Sequence, residues 1–446
     1  MTIGLARLDP AAFRAVIFER QRDGFSASDV DAATAARLER LFHREIDVRD
    51  AVREIIADVR LRGDAALREW TYRIDGVDVD TVHVAPADMA AAWDGLAGGV
   101  RNALSAAAER LREFHRAQVD VLDRGVEGAW LHPVPLGRVG CYVPGGRAAY
   151  PSTVLMSVIP AQVAGVEHIV VASPPAATGG VHPLVAASAH LLGVRELIVA
   201  GGAQAIAALA FGTESVARVD KIVGPGNAFV TLAKHEVFGV VGIDQLAGPS
   251  EIVVIATAGA DPEMVAADLV SQLEHDPLAW AVCLTDDTAL AASIATRFAE
   301  VAGDAARREI IGIAAGKHAA VVRCESHEEM LTLAAAFAPE HLSLQGAAAE
   351  SLLDSVRNAG AVFVGAMSPV SIGDYVAGPN HTLPTQGAAR YRGPLAVMDF
   401  VRWPSVVRLS DAAFDMLAPV AISLAEAEGL AAHEQAIRTR MRVRQQ

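Results

Sequence analysis

The chain has few aromatics, few cysteines and no excess of positive charge. Phe, Trp and Tyr make up 5% of its 446 residues, although the hydrophobic fraction reaches 52%. Alanine carries that excess, which suits helices packed tightly on a parallel sheet. No apolar run approaches the roughly 18–20 residues that a bilayer span needs, which argues against a membrane protein. Met1 to Pro10 carries Arg7 and Asp9 and has no apolar core of signal length, so no secretion signal is expected. The three cysteines, Cys141, Cys283 and Cys324, lie far apart without a CxxC pair. That excludes a disulfide framework and points to a reducing, cytoplasmic setting. A net charge of −15 disfavours nucleic-acid binding. At this length two or three domains are expected.

Familiar catalytic codes are missing as well. The dinucleotide fingerprint GxGxxG is absent after the first strand-like run, and no acidic residue follows His168–Ser173 to hold a ribose. Ser250 lies in Gly248-Pro249-Ser250-Glu251, without the GxSxG elbow of a serine hydrolase. Cys141 stands in an apolar run, where a cysteine is inert core rather than a nucleophile.

What is present is alternation. The first 130 residues read mainly as helices, over 47–61 and 87–118, with Gly63 stopping the first. From Arg138 short β-rich runs alternate with helical ones. Strands are predicted at 168–173, 196–200, 221–223, 252–257, 281–285, 319–324, 341–345 and 361–364. Helices are predicted over 183–192, 203–211, 227–238, 288–301, 328–337 and 348–358. Such alternation implies right-handed crossovers and parallel sheets covered by helices, with ligands at the carboxyl ends of the strands. The fold class is therefore α/β, with two Rossmann-like parallel-sheet domains and helical N- and C-terminal segments. The expected division is an arm over 1–30, a discontinuous domain of 31–130 plus 251–380, a cofactor-binding domain over 131–250, and a C-terminal segment over 381–446.

Several motifs could carry chemistry. Asp261 and Pro262 start a helix that ends in Ser271-Gln272-Leu273-Glu274-His275-Asp276-Pro277. On a helix Gln272 and His275 share a face, and an amide oxygen with an imidazole could hold a cation. A solvated or capping pair is the plainer reading. Gly145-Gly146-Arg147, after Cys141-Tyr142, precedes a helix and could face an anion or simply turn the chain. Gln204 and Asn227 each follow a strand, as caps or as parts of a polar cradle beside Tyr142. Glu340-His341 sits at a helix-to-strand turn, where both side chains can converge for proton transfer near neutral pH. Asp374 lies in the polar run ending at His381, as a third ligand or a turn residue. Glu428 and His433 are five apart, and Gly429 between them breaks the helix and can bring them together.

These strings, in order, resemble the histidinol dehydrogenase family. The GCYVPGG, GGAQAIAAL, KIVGPGNAFV, AGPSEI, SQ-EHD, APEHL, GDYVAGPNH-LPT and AEGL-AH patterns stand in the family's order, and the resemblance extends from about residue 45 to the C-terminus. The resemblance implies an intertwined homodimer that oxidises L-histidinol to L-histidine through the aldehyde, using Zn²⁺ and two NAD⁺. It places Gln272, His275, Asp374 and His433 on zinc, with Glu428 and His433 supplied to the partner's site. It makes His341 the general base and Glu340 the group that activates water. Ser250, Glu428 and the metal ligands would contact substrate, and Tyr142, Gln204 and Asn227 would contact NAD. Leu273, Arg392-Gly393 and Val401-Arg402-Trp403 depart from the family's common pattern without removing a ligand or base. Two rivals remain: a paralogue oxidising another small alcohol, such as a sulfonated diol, and a non-catalytic zinc- and ligand-binding protein on the same scaffold.

Overall fold

Runs of β-branched and small apolar residues form strands buried on both faces. All six residues of Glu251–Ala256 are buried, as are the five of His341–Gln345. A computed structural model describes residues 3–23, 32–119, 125–126, 128–145, 149–177 and 179–444. Gly146 and Arg147, the candidate anion contacts, lie outside the described residues.

Two all-parallel sheets organise the larger unit, residues 1–117 and 136–400. The five-stranded sheet runs, edge to edge, Glu196–Val199, His168–Ser173, Arg138–Tyr142, Lys221–Val223, Gly242–Ile243. The six-stranded sheet runs Ala6–Leu8, Ala319–Arg323, Trp280–Thr285, Glu251–Ala256, His341–Gln345, Ala361–Val364. Apart from the added edge strand Ala6–Leu8, both follow one plan. The first strand lies at the centre, the second and third to one side, the fourth and fifth to the other. This is the doubly wound order, and its switch point falls between the first and fourth strands. In one sheet those are Arg138–Tyr142 and Lys221–Val223, and in the other Glu251–Ala256 and His341–Gln345.

Predicted strands agree with the observed ones to within a residue or so at either end. Three features differ. The run over 87–118 is two helices, Pro86–Asp94 and Gly98–Arg116, because Gly95 ends the first. The run over 348–358 is one turn of α-helix, Ala347–Glu350, and a 3₁₀ turn, Leu353–Ser355. The helices Val48–Arg62 and Asp64–Asp75 pack on the helices that cover the five-stranded sheet, Gly202–Phe211 and, for the first of them, Ala228–Val237. Val52, Ile55, Leu67 and Trp70 share one core with Leu209 and the strand residues Val170 and Ile198. On the other face Gly98–Arg116 packs on the helix Pro151–Ala164, with Leu104 and Leu111 in the same core as the strand residues Val139 and Val171. Residues 31–130 were grouped by sequence with 251–380. Their apolar stripes are instead filled by the core around the five-stranded sheet, a long-range choice that helical periodicity does not encode.

The smaller unit comprises residues 118–135 and 401–446. It contains two small antiparallel sheets and the helices Asp411–Ala427 and Ala431–Arg444, separated at Gly429, whose φ is 72°. No helix among the described residues is long and apolar enough to cross a membrane.

Candidate active site

The first and fourth strands of the six-stranded sheet start side by side, and their amino ends gather the polar groups. Ala338, in the left-handed conformation at φ 51°, ends the helix His327–Phe337 and turns the chain into His341–Gln345. Glu340 and His341 emerge there, 7% and 4% exposed. Glu340 Oε2 lies 3.6 Å from His341 Nδ1 and accepts a bond from the Glu251 N–H at 2.9 Å. His341 Nδ1 lies 3.1 Å from the Glu251 carbonyl oxygen. A carbonyl only accepts, so Nδ1 carries the proton and Nε2 has the bare lone pair. Nε2 is buried without a hydrogen-bond partner. A neutral imidazole with a free, inward-facing Nε2 is a proton acceptor waiting for a donor.

Four further groups surround it. The Ser250 hydroxyl reaches the Glu340 carboxyl. Asp374, on the helix Val370–Tyr375, has Oδ1 3.9 Å from His341 Nε2. His381 Nδ1 lies 2.9 Å from the Asp374 carbonyl oxygen, and its Nε2 lies 3.4 Å from Thr153 Oγ1. His275 is close enough for a positive charge there to disfavour charge on both His341 and His381. Gln272 is buried near the end of Pro262–Leu273, which Asp261 caps by accepting from the Glu263 N–H at 2.8 Å. That helix stops at Leu273, so His275 occupies the turn beyond it and not the shared helical face expected from spacing.

Burial dominates the electrostatics. Glu340 is pushed well above the ordinary carboxylate range, chiefly by burial and also by the Glu251 and Asp374 carboxylates. Burial raises Asp374 to about 7. It lowers His341 to about 3 and His381 to about 4. His275 shows an exposed edge, yet the protein around its ring still holds it below the ordinary imidazole value. The pocket is thus rich in acceptors and short of positive charge, which a divalent cation would relieve. Amide oxygen, imidazole and carboxylate are donors that suit Zn²⁺. Among the described residues no three His, Cys, Asp or Glu side chains form a metal group by themselves. The proposed set is compatible with that, because Gln272 is an amide and His433 belongs to the smaller unit, leaving His275 and Asp374.

The sequence expectation of ligands at carboxyl strand ends holds for neither Glu340 nor His341. It does describe the placement of Tyr142, Gln204 and Asn227 on the other sheet. The Tyr142 hydroxyl accepts from the Gly202 N–H at 3.2 Å, and burial pushes the phenol up to about 12. Gln204 is fully buried, and neither its amide oxygen nor its nitrogen has a partner. An orphaned buried amide is costly unless a polar ligand completes it, so this cradle fits a polar cofactor. Asn227 is exposed and caps its helix, Oδ1 accepting from the N–H groups of Phe229 and Val230 at 3.1 and 3.2 Å. Gly224 has φ 109°, and a Cβ there would stand 2.1 Å from the Tyr142 carbonyl oxygen, so the turn tolerates no side chain. Cys141 is fully buried and its thiol pushed far up, as inert core requires. Glu428 and His433 are exposed residues on either side of Gly429.

Sequence reasoning gave no role to His381 or Glu251. Both lie within quoted motifs, but Glu251 acts on the pair through its backbone, which no residue pattern reveals.

Two sheets wound in dinucleotide-fold order, one carrying an orphaned amide and the other a buried carboxylate–imidazole pair, define an α/β enzyme of the dehydrogenase class. The family model described as histidinol dehydrogenase matches residues 38–441. Over 415 residues the chain is 48% identical to a histidinol dehydrogenase of Parasynechococcus marenigrum (strain WH8102), covering 91% of this chain and 95% of that one. It is 43% identical to a histidinol dehydrogenase of Methanosarcina mazei, covering 93% and 96%. The crystal structure of histidinol dehydrogenase from Elizabethkingia anophelis superposes with a TM-score of 0.90 at 31% identity, over 99% of both chains. The chain belongs to the histidinol dehydrogenase family.

Proposed function

We propose that the protein oxidises L-histidinol to L-histidine through the aldehyde, reducing two NAD⁺. The observation that carries this reading is the His341 imidazole, fixed with its bare Nε2 inward beside Glu340 in a chain of this family. In the first oxidation His341 Nε2 takes the hydroxyl proton as hydride leaves the carbinol carbon for NAD⁺. Glu340 then takes a proton from water as the water oxygen adds to the aldehyde, while the aldehyde oxygen takes the proton back from His341, giving the hydrate and a neutral imidazole again. In the second oxidation His341 takes a proton from the resulting hydrate as hydride leaves the same carbon, and the carboxylate forms. Ser250, whose hydroxyl lies near the Glu340 carboxyl, would also contact the substrate.

Gln272, His275 and Asp374, with His433 from a partner subunit, would hold zinc, which when bound would orient the substrate's imidazole and amine and offset the pocket's negative charge. Tyr142, Gln204 and Asn227 would contact NAD⁺. The buried, unpartnered Gln204 amide supports its share of that reading, whereas Asn227 already caps a helix. The homodimer is supported by an apolar stripe on Asp411–Ala427, where Met416, Val420 and Leu424 are 70%, 59% and 60% exposed at successive i, i+4 positions. We place the enzyme in the cytoplasm. The relatives lend no support to the sulfonated-diol alternative.

A zinc-replete assay should yield two NADH per histidinol consumed, with histidine as product. One NADH per histidinol, with the aldehyde accumulating, would contradict the full reaction. Shared sites have their own test. Two inactive variants, His433→Ala and His341→Asn, should regain activity when unfolded together and refolded, because a mixed dimer assembles one intact site. No recovery, with mixed dimers demonstrated, would place the tail in its own subunit's site.

A further inference from the structure

Glu251 occupies an unusual position, because its main chain holds both groups of the proposed pair. Its N–H donates to Glu340 Oε2 at 2.9 Å, and its carbonyl accepts from His341 Nδ1 at 3.1 Å. The orientation of the base and of its neighbouring carboxyl therefore depends on where this one residue sits. Its side chain is 1% exposed and is tied down on two sides. The Gln386 N–H donates to Oε1 at 3.0 Å, and the Arg20 guanidinium donates to the same oxygen. Arg20 comes from the N-terminal helix Pro10–Asp23, 231 residues away in sequence. It is itself locked, with Nη1 donating to the Phe337 carbonyl oxygen at 2.6 Å and the guanidinium 3.9 Å above the Phe337 ring. Phe13 stacks on that ring from the same helix, with centroids 5.9 Å apart.

We infer that Arg20 is a positioning residue for the oxidation, acting through Glu251 on Glu340 and His341. A buried carboxylate without its cation would move toward water or another donor, and the backbone carrying it would follow. A shift of even about 1 Å at the reacting groups can cost ~100-fold in rate. Arg20 touches neither the proposed metal ligands nor the cofactor cradle in any described contact, so its loss should spare both. The inference rests on the assignment of His341 as base.

The test uses the full-length, zinc-loaded enzyme with histidinol and NAD⁺. Arg20→Met should lower kcat roughly 10- to 100-fold, the size seen when a supporting shell is removed, with KM for NAD⁺ and bound zinc unchanged. Arg20→Lys should recover part of that loss, since an ammonium can reach Glu251 but cannot also stack and bond to Phe337. Free guanidinium at concentrations below unfolding should raise the kcat of Arg20→Ala, whereas the same concentration of sodium should not. Wild-type kcat in Arg20→Met, or a loss matching only the fraction unfolded by circular dichroism, would overturn the inference. His341→Asn, assayed beside it, separates the two readings: full turnover there removes the base assignment, while its loss beside an unimpaired Arg20→Met removes only the role of Arg20.

Discussion

His341→Asn is expected to lower kcat about a thousandfold, within the span general-base catalysis commands, while leaving zinc and fold in place. The asparagine amide is short enough to fit and can still donate to the Glu251 carbonyl, which His341 Nδ1 contacts at 3.1 Å. It offers nothing in place of Nε2. The buried lone pair that faces the pocket is lost, and with it the acceptor for the hydroxyl proton. Both oxidations should slow, because both end in a proton leaving oxygen. Glu340→Gln differs in kind, since glutamine can accept from the Glu251 N–H but cannot take a proton from water, so aldehyde should build up before the second NADH appears. Steady-state turnover, with zinc measured on the purified protein, checks the first variant. Unchanged turnover would sink the assignment of His341.

Much of this arrangement was legible because it is local. Asp261 caps its helix as its position before an apolar periodic run implies. The strands read clearly because both sheets are buried on both faces, so their sequences are short continuous apolar runs bounded by turns. Glu340 and His341 are neighbours in sequence, and a helix-to-strand turn is a local feature. What resisted reading is non-local. The three-residue strand Ala6–Leu8 carries two exposed residues and is a strand only because Ala319–Arg323 lies beside it. The helical stripe over 48–62 specifies that something apolar covers it, not which sheet. The amino-end location of the polar cluster follows from how the turns before the strands are filled, whereas strand order alone points to the opposite end. Arg20 carries no signal at all, since a single arginine on a helix reads as solvated surface until the fold brings Glu251 to it.

The second large effect lies on the other sheet, where Lys234→Met is expected to destabilise the protein by roughly 3–5 kcal/mol. Lys234 and Asp244 are 1% and 3% exposed and form a buried ion pair. Nζ also donates to the Gly224 carbonyl oxygen at 3.0 Å. Asp244 Oδ2 in turn accepts from the Gly224 N–H at 2.7 Å, and Oδ1 accepts from the Gln245 N–H at 2.6 Å. The pair therefore grips Gly224 by both of its main-chain polar groups, at the residue whose φ of 109° sets the turn ahead of Asn227. Methionine fills the volume of the lysine stem but leaves the Asp244 charge buried beside two N–H donors and no cation. Loss of the pair, not of packing, should account for most of the effect, so Lys234→Met/Asp244→Asn should recover part of the stability lost by the single variant. Urea unfolding of the purified protein measures both, and a single-variant loss below about 1 kcal/mol would show that the backbone donors alone satisfy the carboxylate. Any protein that remains folded should show a raised KM for NAD⁺ with less change in kcat, because the turn that loosens belongs to the proposed cofactor cradle and not to the strand ends where the proton moves.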